Sequence, residues 1–567
     1  MPVILGVHDS PFDSGSTLLR EGKVVAAVQE ERVARVKHCG GFPLDAIRSI
    51  LEFTGTKPVE IDHVAIGFKD HIFPLQVIQH LQVRGSSLNP LESGVHRLAL
   101  RAFESYESSA RRGYHEKMDR GLSDLFVGHM LRKIGIDCEF ERVDHHLAHA
   151  ASAFYSSGFE ECLIVTADAR GDGASGTINV GDRDGIHRVS TSPVSGSLGH
   201  LYGGVTELLG FGYGSGEGKT MSLAAYGKPT DAVGIIGSFV EVKGLQVKGR
   251  LSPHHRLTSC ILKGFLDDRR GEDIAYAAQK TIESTVTRLI SNAISELNIH
   301  NVALAGGIFL NVKLNQRISD LPGVRDVFVH PAAGDSGVST GCAMVIQAER
   351  YGLKPVRWDN VFLGSEYSND EIRRQLDRAG LSYEYVEDIG GFIGEEILPS
   401  GDLVGWFQSR MEYGPRALGA RSVLADPREE ESPSRIREAI KNRPQFQPFC
   451  PSILKSAEDL YVENPKGLNS SFMTMSFKAK SRMLEEAPSV VFIDSTTRVQ
   501  SVNSQNSHFR ELIEAFGRET GVPIVLNTSF NRSGEPIVCS PGNAIEDFVN
   551  CGLDWLAIGN YLVGREN

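Results

Sequence analysis

The sequence predicts an α/β chain built on an internal duplication and followed by a second α/β domain. Three observations carry that prediction. Residues 2–28 read strand, turn, strand, turn, strand (VILGV, HDSPFDSG, STLL, REG, KVVAAV), and residues 162–190 repeat the order (CLIVTAD, ARGDGAS, GTINV, GDRDG, IHRVS). A further strand unit, NVALAGGIFLNVKLN at 301–315, joins an apolar strand to a Gly-Gly turn and a helix start, and VRDVFVHP at 324–331 adds another strand. Around residues 353–365 the texture becomes loop-like (GLKPVRWDNVFLGSEYSND), with a proline and then a helix N-cap signal.

The first two observations describe the pattern of the actin/sugar-kinase-like fold, in which two similar lobes flank a ligand cleft. Both copies end their first strand in an acidic, glycine-rich turn, and both make their second reversal with Arg and Gly. The loop-like stretch divides the chain into residues 1–355 and 366–567. The second part has its own strands, such as GDLVGWFQ (401–408) and GVPIVLNTSF (521–530). Residues 70–125 differ in tone, being basic and aromatic (HRLALRAFESYESSARRGYHEKMDR), and are expected to form a solvated helical insertion.

The bulk numbers narrow the function classes. A chain of 567 residues is too long for one core. Apolar content of 41% and charged content of 23% suit a soluble globular protein. A net charge of −12 argues against a broad nucleic-acid or anionic-membrane surface, while leaving room for a local pocket that binds a small anion. No uninterrupted apolar stretch reaches the ~18–20 residues of a membrane span. The eight cysteines are scattered with no C-x-x-C pair, as expected in the reducing cytoplasm. A cytoplasmic multidomain enzyme is the expectation.

GYGSGEGKT at 212–220 imitates a phosphate-binding loop but misses its spacing. Five residues before Gly218 stands Tyr213 instead of glycine, so successive N–H groups cannot converge on one phosphate. Metal-ligand chemistry is better signposted. His145 and His149 in DHHLAHAASAFYSS are four residues apart, on one helix face. Asp168 ends the first strand of the second repeat, and Asp335 sits in a Gly-Asp-Ser-Gly turn after another strand. Two imidazoles with one or two carboxylates suit Fe(II) or a similar divalent ion, and zinc shares these ligand types. His146, on another face, reads as a supporting or core residue. In the second part, Arg410, Lys441, Arg443 and Arg498 stand among Gly, Pro and Asn-Thr-Ser turns, with Asn527, Ser529 and Asn531 nearby in sequence. Arginine forks match phosphate and carboxylate oxygens, so this set reads as a small-anion pocket.

Five long motifs together resemble the NodU/CmcH-type O-carbamoyltransferase family. They are VVAAVQEERVARVKH (24–38), DHHLAHAASAFY (144–155), EGKTMSLAAYGKP (217–229), RMEYGPRALGARSVLADPR (410–428) and PIVLNTSFNRSGEPIV (523–538). The resemblance runs nearly end to end, with only the 70–125 insertion outside it. It implies a C-terminal YrdC-like domain that makes carbamoyladenylate from carbamoyl phosphate and ATP with Mg²⁺. It also implies an N-terminal domain, similar to the tRNA threonylcarbamoyl-transferring subunit, that passes the carbamoyl group to a hydroxyl of a small-molecule acceptor. On the same ground His145, His149, Asp168 and Asp335 match metal ligands. Arg416, Lys441, Arg498, Asn527 and Ser529 match the carbamoyl phosphate and ATP site, joined by Arg443. His8 and Asp9 stand at the acceptor end of the cleft, with His8 a candidate acceptor of the hydroxyl proton. Lys37 and His38 fall near the adenylate, Lys219 in the cleft facing it, and Gly306, Gly307 and Asn311 in a nucleotide-facing turn. A homodimer is the expected assembly.

The chain departs from the family at two places. Gln447 in Phe446-Gln447-Pro448 replaces an arginine, and HDSPFDSGSTLL carries two more residues than the commoner opening motif. Two other readings compete with carbamoyl transfer to a small molecule. A threonylcarbamoyl-type tRNA modification enzyme would want a basic surface, against the net charge of −12. A non-catalytic actin-like ATP-binding module would leave the paired histidines and the C-terminal arginines without a role.

Overall fold

The computed structural model describes residues 2–69, 114–250, 254–441 and 443–565. Most of the expected helical insertion lies outside the described residues, and its end enters a helix at Tyr114–Lys133. The fold is mixed α/β with several sheets, in two compact units. The first unit holds residues 1–220, 227–310 and 317–358, and the second holds 221–226, 311–316 and 359–567.

The first unit contains the duplication strand for strand. Its first sheet comprises β1 (Val3–His8), β2 (Gly15–Arg20), β3 (Lys23–Gln29), β4 (His63–Ile66) and β5 (Phe140–Arg142), in the order β3-β2-β1-β4-β5. The second comprises β6 (Cys162–Gly171), β7 (Ala174–Asp182) and β8 (Gly185–Pro193). After a separate hairpin, β9 (Val240–Lys243) and β10 (Gln246–Gly249), it is completed by β11 (Asn301–Ala305) and β12 (Asp326–Val329). Its order, β8-β7-β6-β11-β12, is that of the first sheet, with antiparallel and parallel pairings at the same places. The central strands β1 and β6 are nearly continuous apolar runs, as strands covered on both faces must be.

Two helices occupy equivalent places after the two sheets, His145–Ser157 after β5 and Val338–Tyr351 after β12. The first is rich in alanine, and Ala148, Ala150, Ala151 and Ala153 are fully enclosed. Small residues let the helices approach until a Cβ on Gly341 would lie 1.8 Å from the Ala148 carbonyl oxygen. A Cβ on Gly6 in β1 would likewise lie 1.9 Å from the Ser339 carbonyl oxygen, so Val338–Tyr351 is wedged between the first sheet and its sister helix. Thr17 on β2 secures it with hydroxyl contacts of 2.9 Å to both Ser339 and Thr340.

The second unit is organised on eight strands: β13 (Glu384–Tyr385), β14 (Val404–Phe407), β15 (Arg421–Ala425), β16 (Cys450–Leu454), β20 (Gln500–Val502), β21 (Ile524–Ser529), β22 (Trp555–Ile558) and β23 (Tyr561–Gly564). A small sheet of β17 (Val462–Glu463), β18 (Phe477–Ala479) and β19 (Thr496–Thr497) accompanies them. The large sheet runs β13-β23-β22-β14-β15-β21-β16-β20. Alternation along β14 sends Val404 and Trp406 to one core with Phe509, Leu512 and Phe516 of the helix Ser507–Thr520, and Phe407 to the other with Phe530. Among the described residues no helix is long and apolar enough to cross a membrane.

Gly341→Ala should push the two sister helices apart and cost about 1–3 kcal/mol, the usual penalty of overpacking. Gly264→Ala is the control, since a Cβ there meets nothing within 4 Å. Denaturant midpoints followed by circular dichroism should fall for the first variant and hold or rise for the second.

Candidate functional site

The sister helices and the second sheet deliver four donors to one point in the first unit. His145 and His149 come from the first turns of their helix, which Asp144 caps by accepting the Leu147 N–H at 2.8 Å. Asp172 accepts the His145 backbone N–H at 2.6 Å and so fixes the helix entry. Asp335 heads the short turn before Val338–Tyr351. Asp168 lies inside β6, not at its end as the sequence suggests, at an irregularity where the pairing with β7 is interrupted. Such a bulge re-aims a side chain out of the pleat.

The imidazole and carboxylate atoms of His145, His149, Asp168 and Asp335 all lie within 4.8 Å of one another. His149 Nε2 is 3.2 Å from Asp168 Oδ2 and 3.7 Å from Asp335 Oδ1. His145 Nε2 is 3.7 Å and 3.8 Å from the same two carboxylates. Bonds of about 2.1 Å place neighbouring donors about 3.0 Å apart around an octahedral ion and about 3.4 Å apart around a tetrahedral one. The observed spacings of 3.2–3.8 Å begin inside that range and extend a few tenths of an ångström beyond it, and the Nε2 of His145, wholly buried, has no hydrogen-bond partner among the described residues. The four residues therefore fit a divalent ion. Burial alone would depress His145, but the adjacent carboxylates outweigh it and hold its pKa at about 9. Both aspartates are pulled down by the imidazoles despite their burial. His146 turns away, its Nδ1 2.9 Å from the Thr166 hydroxyl, and burial pushes its pKa down to about 3.

The other expected residues of this unit are placed around the cluster to differing degrees. His8 is fully enclosed, with Nε2 3.6 Å from Asp335 Oδ2. Asp9 is buried beside it, and Ser10, which the sequence did not single out, brings its hydroxyl 3.4 Å from the same oxygen. Gly306 adopts φ +108 and leaves no room for a Cβ, which would lie 2.2 Å from the Ala167 carbonyl oxygen. A Cβ on Gly307 would lie 3.1 Å from Asp168 Oδ1, so this glycine turn backs the Asp168 carboxylate. His38 pairs with Asp13, Nδ1 to Oδ1 at 2.8 Å, and Lys37 lies next to it. Lys219 projects over the Phe211 ring at 5.9 Å. In the glycine loop ahead of it, the Gly214 N–H donates to the Glu217 carboxylate at 2.8 Å, so the loop spends its donors internally, unlike a phosphate-binding loop. Asn311 groups with the second unit, where its carbonyl oxygen accepts the Leu314 N–H and starts the helix Val312–Ser319.

In the second unit Arg416, Arg443 and Arg498 lie close together, whereas the Arg410 guanidinium anchors the Leu363 and Gly364 carbonyls. The loop carrying Arg416 is held by buried Glu412, which accepts the N–H groups of Leu418, Ala420 and Arg421. Burial and the repulsion of Arg498 and Arg443 lower the Arg416 pKa to about 9. Burial, with Arg498 and Arg437 close by, lowers Arg443 to about 10. Arg498 Nε donates to Cys450 Sγ at 3.1 Å, and Cys450 pairs with Asn527 across β16 and β21. Asn527 donates to Ser452 and Gln500, while its buried carbonyl oxygen has no hydrogen-bond partner among the described residues. Lys441 reaches the Ser529 hydroxyl and both oxygens of Asn531 at 2.8–3.0 Å. Crowded guanidiniums beside an amide and hydroxyls make a site for a multiply charged anion with a neutral polar end. Cys450, Ser452 and Gln500 had no signal in the sequence, because their role is to seat neighbours in the sheet.

Two family models match the chain: Carbamoyltransferase N-terminus over residues 3–344 and Carbamoyltransferase C-terminus over residues 395–565. Nodulation protein NolNO of Sinorhizobium fredii is 33% identical over 98% of this chain and 79% of its own. An uncharacterized protein of Methanocaldococcus jannaschii is 30% identical over the whole of both chains. Nodulation protein U of Rhizobium tropici is 27% identical over 47% of this chain and 45% of its own.

Arg498→Ala should weaken the binding of inorganic phosphate at least about tenfold, the effect of losing one charge-assisted contact. Arg410→Ala should leave it unchanged. Titration calorimetry on the full chain reads both, and equal affinities for the two variants would contradict the pocket.

Proposed function

Because the chain belongs to the carbamoyltransferase family, and so is an enzyme that moves a carbamoyl group, we propose that it is an ATP-dependent O-carbamoyltransferase working in two stages. The duplicated sheets support an actin/sugar-kinase-like transfer domain, and the second unit is read as a YrdC-like activating domain. The observation that carries the proposal is the crowding of Arg416, Arg443 and Arg498, where burial and mutual repulsion lower the pKa values of the first two.

In the first stage these arginines and Lys441 bind carbamoyl phosphate and the phosphates of ATP, which arrives with its own Mg²⁺. Water releases phosphate from carbamoyl phosphate, and the resulting carbamate oxygen attacks the α-phosphorus of ATP. Carbamoyladenylate forms and pyrophosphate leaves. The cations neutralise the repulsion between two anions, which is the main barrier to their approach. The carbonyl oxygen of Asn527, buried without a hydrogen-bond partner among the described residues, is read as the acceptor for the carbamoyl NH₂, a contact that would distinguish carbamoyl from acetyl groups.

In the second stage an acceptor hydroxyl attacks the carbamoyl carbon and AMP leaves with the bonding electrons. A divalent ion such as Fe(II), when bound by His145, His149, Asp168 and Asp335, would supply Lewis-acid polarisation there. His8, fully buried beside Asp335, orients that carboxylate in this reading and is not the proton acceptor that the sequence suggests. Exclusion of water around these buried residues guards a labile mixed anhydride. The acceptor is read as a small hydroxylated molecule, since the net charge of −12 disfavours RNA.

The full chain should catalyse ATP–pyrophosphate exchange that depends on carbamoyl phosphate. Arg498→Ala should reduce the exchange about a hundredfold or more. His149→Ala should retain it, while lowering bound divalent metal and abolishing the mass gain of one carbamoyl group on hydroxylated acceptors. Loss of both activities in His149→Ala would show that the two stages have been assigned to the wrong units.

A further inference from the structure

His8, His145 and His149 are fully buried around the donor cluster, whereas the His38 side chain keeps 32% of its surface accessible. Its Nδ1 is engaged by Asp13 Oδ1 at 2.8 Å, which leaves Nε2 for another partner. An acid that holds one ring nitrogen fixes the tautomer and orientation of an imidazole so that the other nitrogen can take a proton.

The backbone supports the same reading. Asp13 and His38 both occupy the left-handed region, with φ of 50 and 54. Such conformations in non-glycine residues cost about 1–3 kcal/mol each, and they persist where surrounding structure enforces them. Here the enforcement is visible. The His38 N–H donates to Glu31 Oε2 at 2.8 Å, and Glu31 is itself held by Arg32 at 2.9 Å. The Ser14 N–H and hydroxyl both donate to the Cys39 carbonyl, and the Gly41 N–H donates to the Ser10 carbonyl at 2.9 Å. Gly40 passes so close that a Cβ would lie 2.2 Å from the Pro11 carbonyl oxygen. The loop thus clamped begins at the donor cluster, where Ser10 and His8 both face Asp335.

We propose that His38 is the general base of the transfer stage and that Asp13 is the residue that positions it. The inference rests on the two-stage reading above. The acceptor oxygen bonds to the carbamoyl carbon, the bond from that carbon to the AMP oxygen breaks with its electrons, and the hydroxyl proton passes to His38 Nε2. Asp13 then stabilises the imidazolium until water removes the proton. The charged groups around His38 are Asp13, Glu31 with its partner Arg32, Lys37, and Glu217 of the glycine loop. Burial lowers the basicity of His38, and Asp13 and Glu31 more than restore it, so the imidazole titrates above the ordinary histidine range.

The test follows the full chain with ATP, Mg²⁺ and carbamoyl phosphate, using water as the acceptor. Single-turnover decay of bound carbamoyladenylate to AMP is measured across pH, with ATP–pyrophosphate exchange as the control for folding and activation. His38→Ala should slow the decay about a hundredfold, in the range general bases contribute, and added imidazole should restore part of it. Asp13→Asn should slow it less and move the acidic limb of the profile to lower pH, because the carboxylate that raises the His38 pKa is gone. Exchange should fall far less than decay in both variants, because the proposed base acts only after the adenylate has formed. Unchanged decay in His38→Ala, or equal losses of decay and exchange, would overturn the role of His38. Failure of imidazole to rescue, together with an unmoved limb in Asp13→Asn, would do the same. Absence of exchange in the unaltered chain would instead overturn the two-stage reading itself.

Discussion

The carbonyl oxygen of Ala148 fills the space that any side chain at position 341 would need, and the chemistry of the first unit depends on that contact. It sets the distance between two helices that each begin at the donor cluster, one with His145 and His149, the other behind Asp335. An ion tolerates donor displacements of only a few tenths of an ångström. Rigidity here comes from close-packed small residues and from hydroxyls of Thr17 that tie the second helix to β2. The duplication supplies the frame, since the helices follow corresponding sheets. It does not supply the donors evenly: the paired histidines belong to the first helix alone, and the carboxylates to β6 and the turn before the second.

The two units solve opposite electrostatic problems. In the first, buried imidazoles and carboxylates meet in nearly balanced numbers, so each stabilises the charge of the other. In the second, guanidiniums are gathered close enough to repel one another, and packing helps to hold them. Arg443 stacks 5.0 Å from the centre of the Phe449 ring, Arg498 leans on Cys450, and Glu412 spends its charge on the loop around Arg416 instead of on its guanidinium. A carboxylate paired directly with these arginines would compete with the substrate.

Much of this was legible in the sequence because local pattern and tertiary role coincide. The repeated strand–turn–strand blocks at 2–28 and 162–190 became two sheets of one topology, since each block opens with a buried apolar run that takes the central place in its sheet. The pairing of His145 and His149 was readable because four residues on a helix is also the spacing that brings two rings together, here with centroids 4.6 Å apart. The remainder depended on distance in space. Nothing in HDSPFDSG foretells that Asp13 meets a histidine 25 residues onward, because that contact is made by two left-handed residues and a glycine that passes beneath a proline carbonyl. Arg410 and Arg416 look alike in the chain, and only the fold shows that the former grips backbone at 363–364 while the latter joins other guanidiniums.

The repulsion among Arg416, Arg443 and Arg498 has a consequence for the lifetime of the protein as well as for its chemistry. A ligand that binds only the folded state adds to its stability, by about 2.7 kcal/mol at a hundred times its dissociation constant. For the second unit that gain is unusually direct, because a bound dianion also removes a destabilising force already present in the fold. On the proposed function, a phosphate-bearing substrate would act on this protein as a folding ligand. Starvation for substrate would leave the second unit more prone to unfolding and proteolysis, so the abundance of the enzyme would follow the supply of what it consumes.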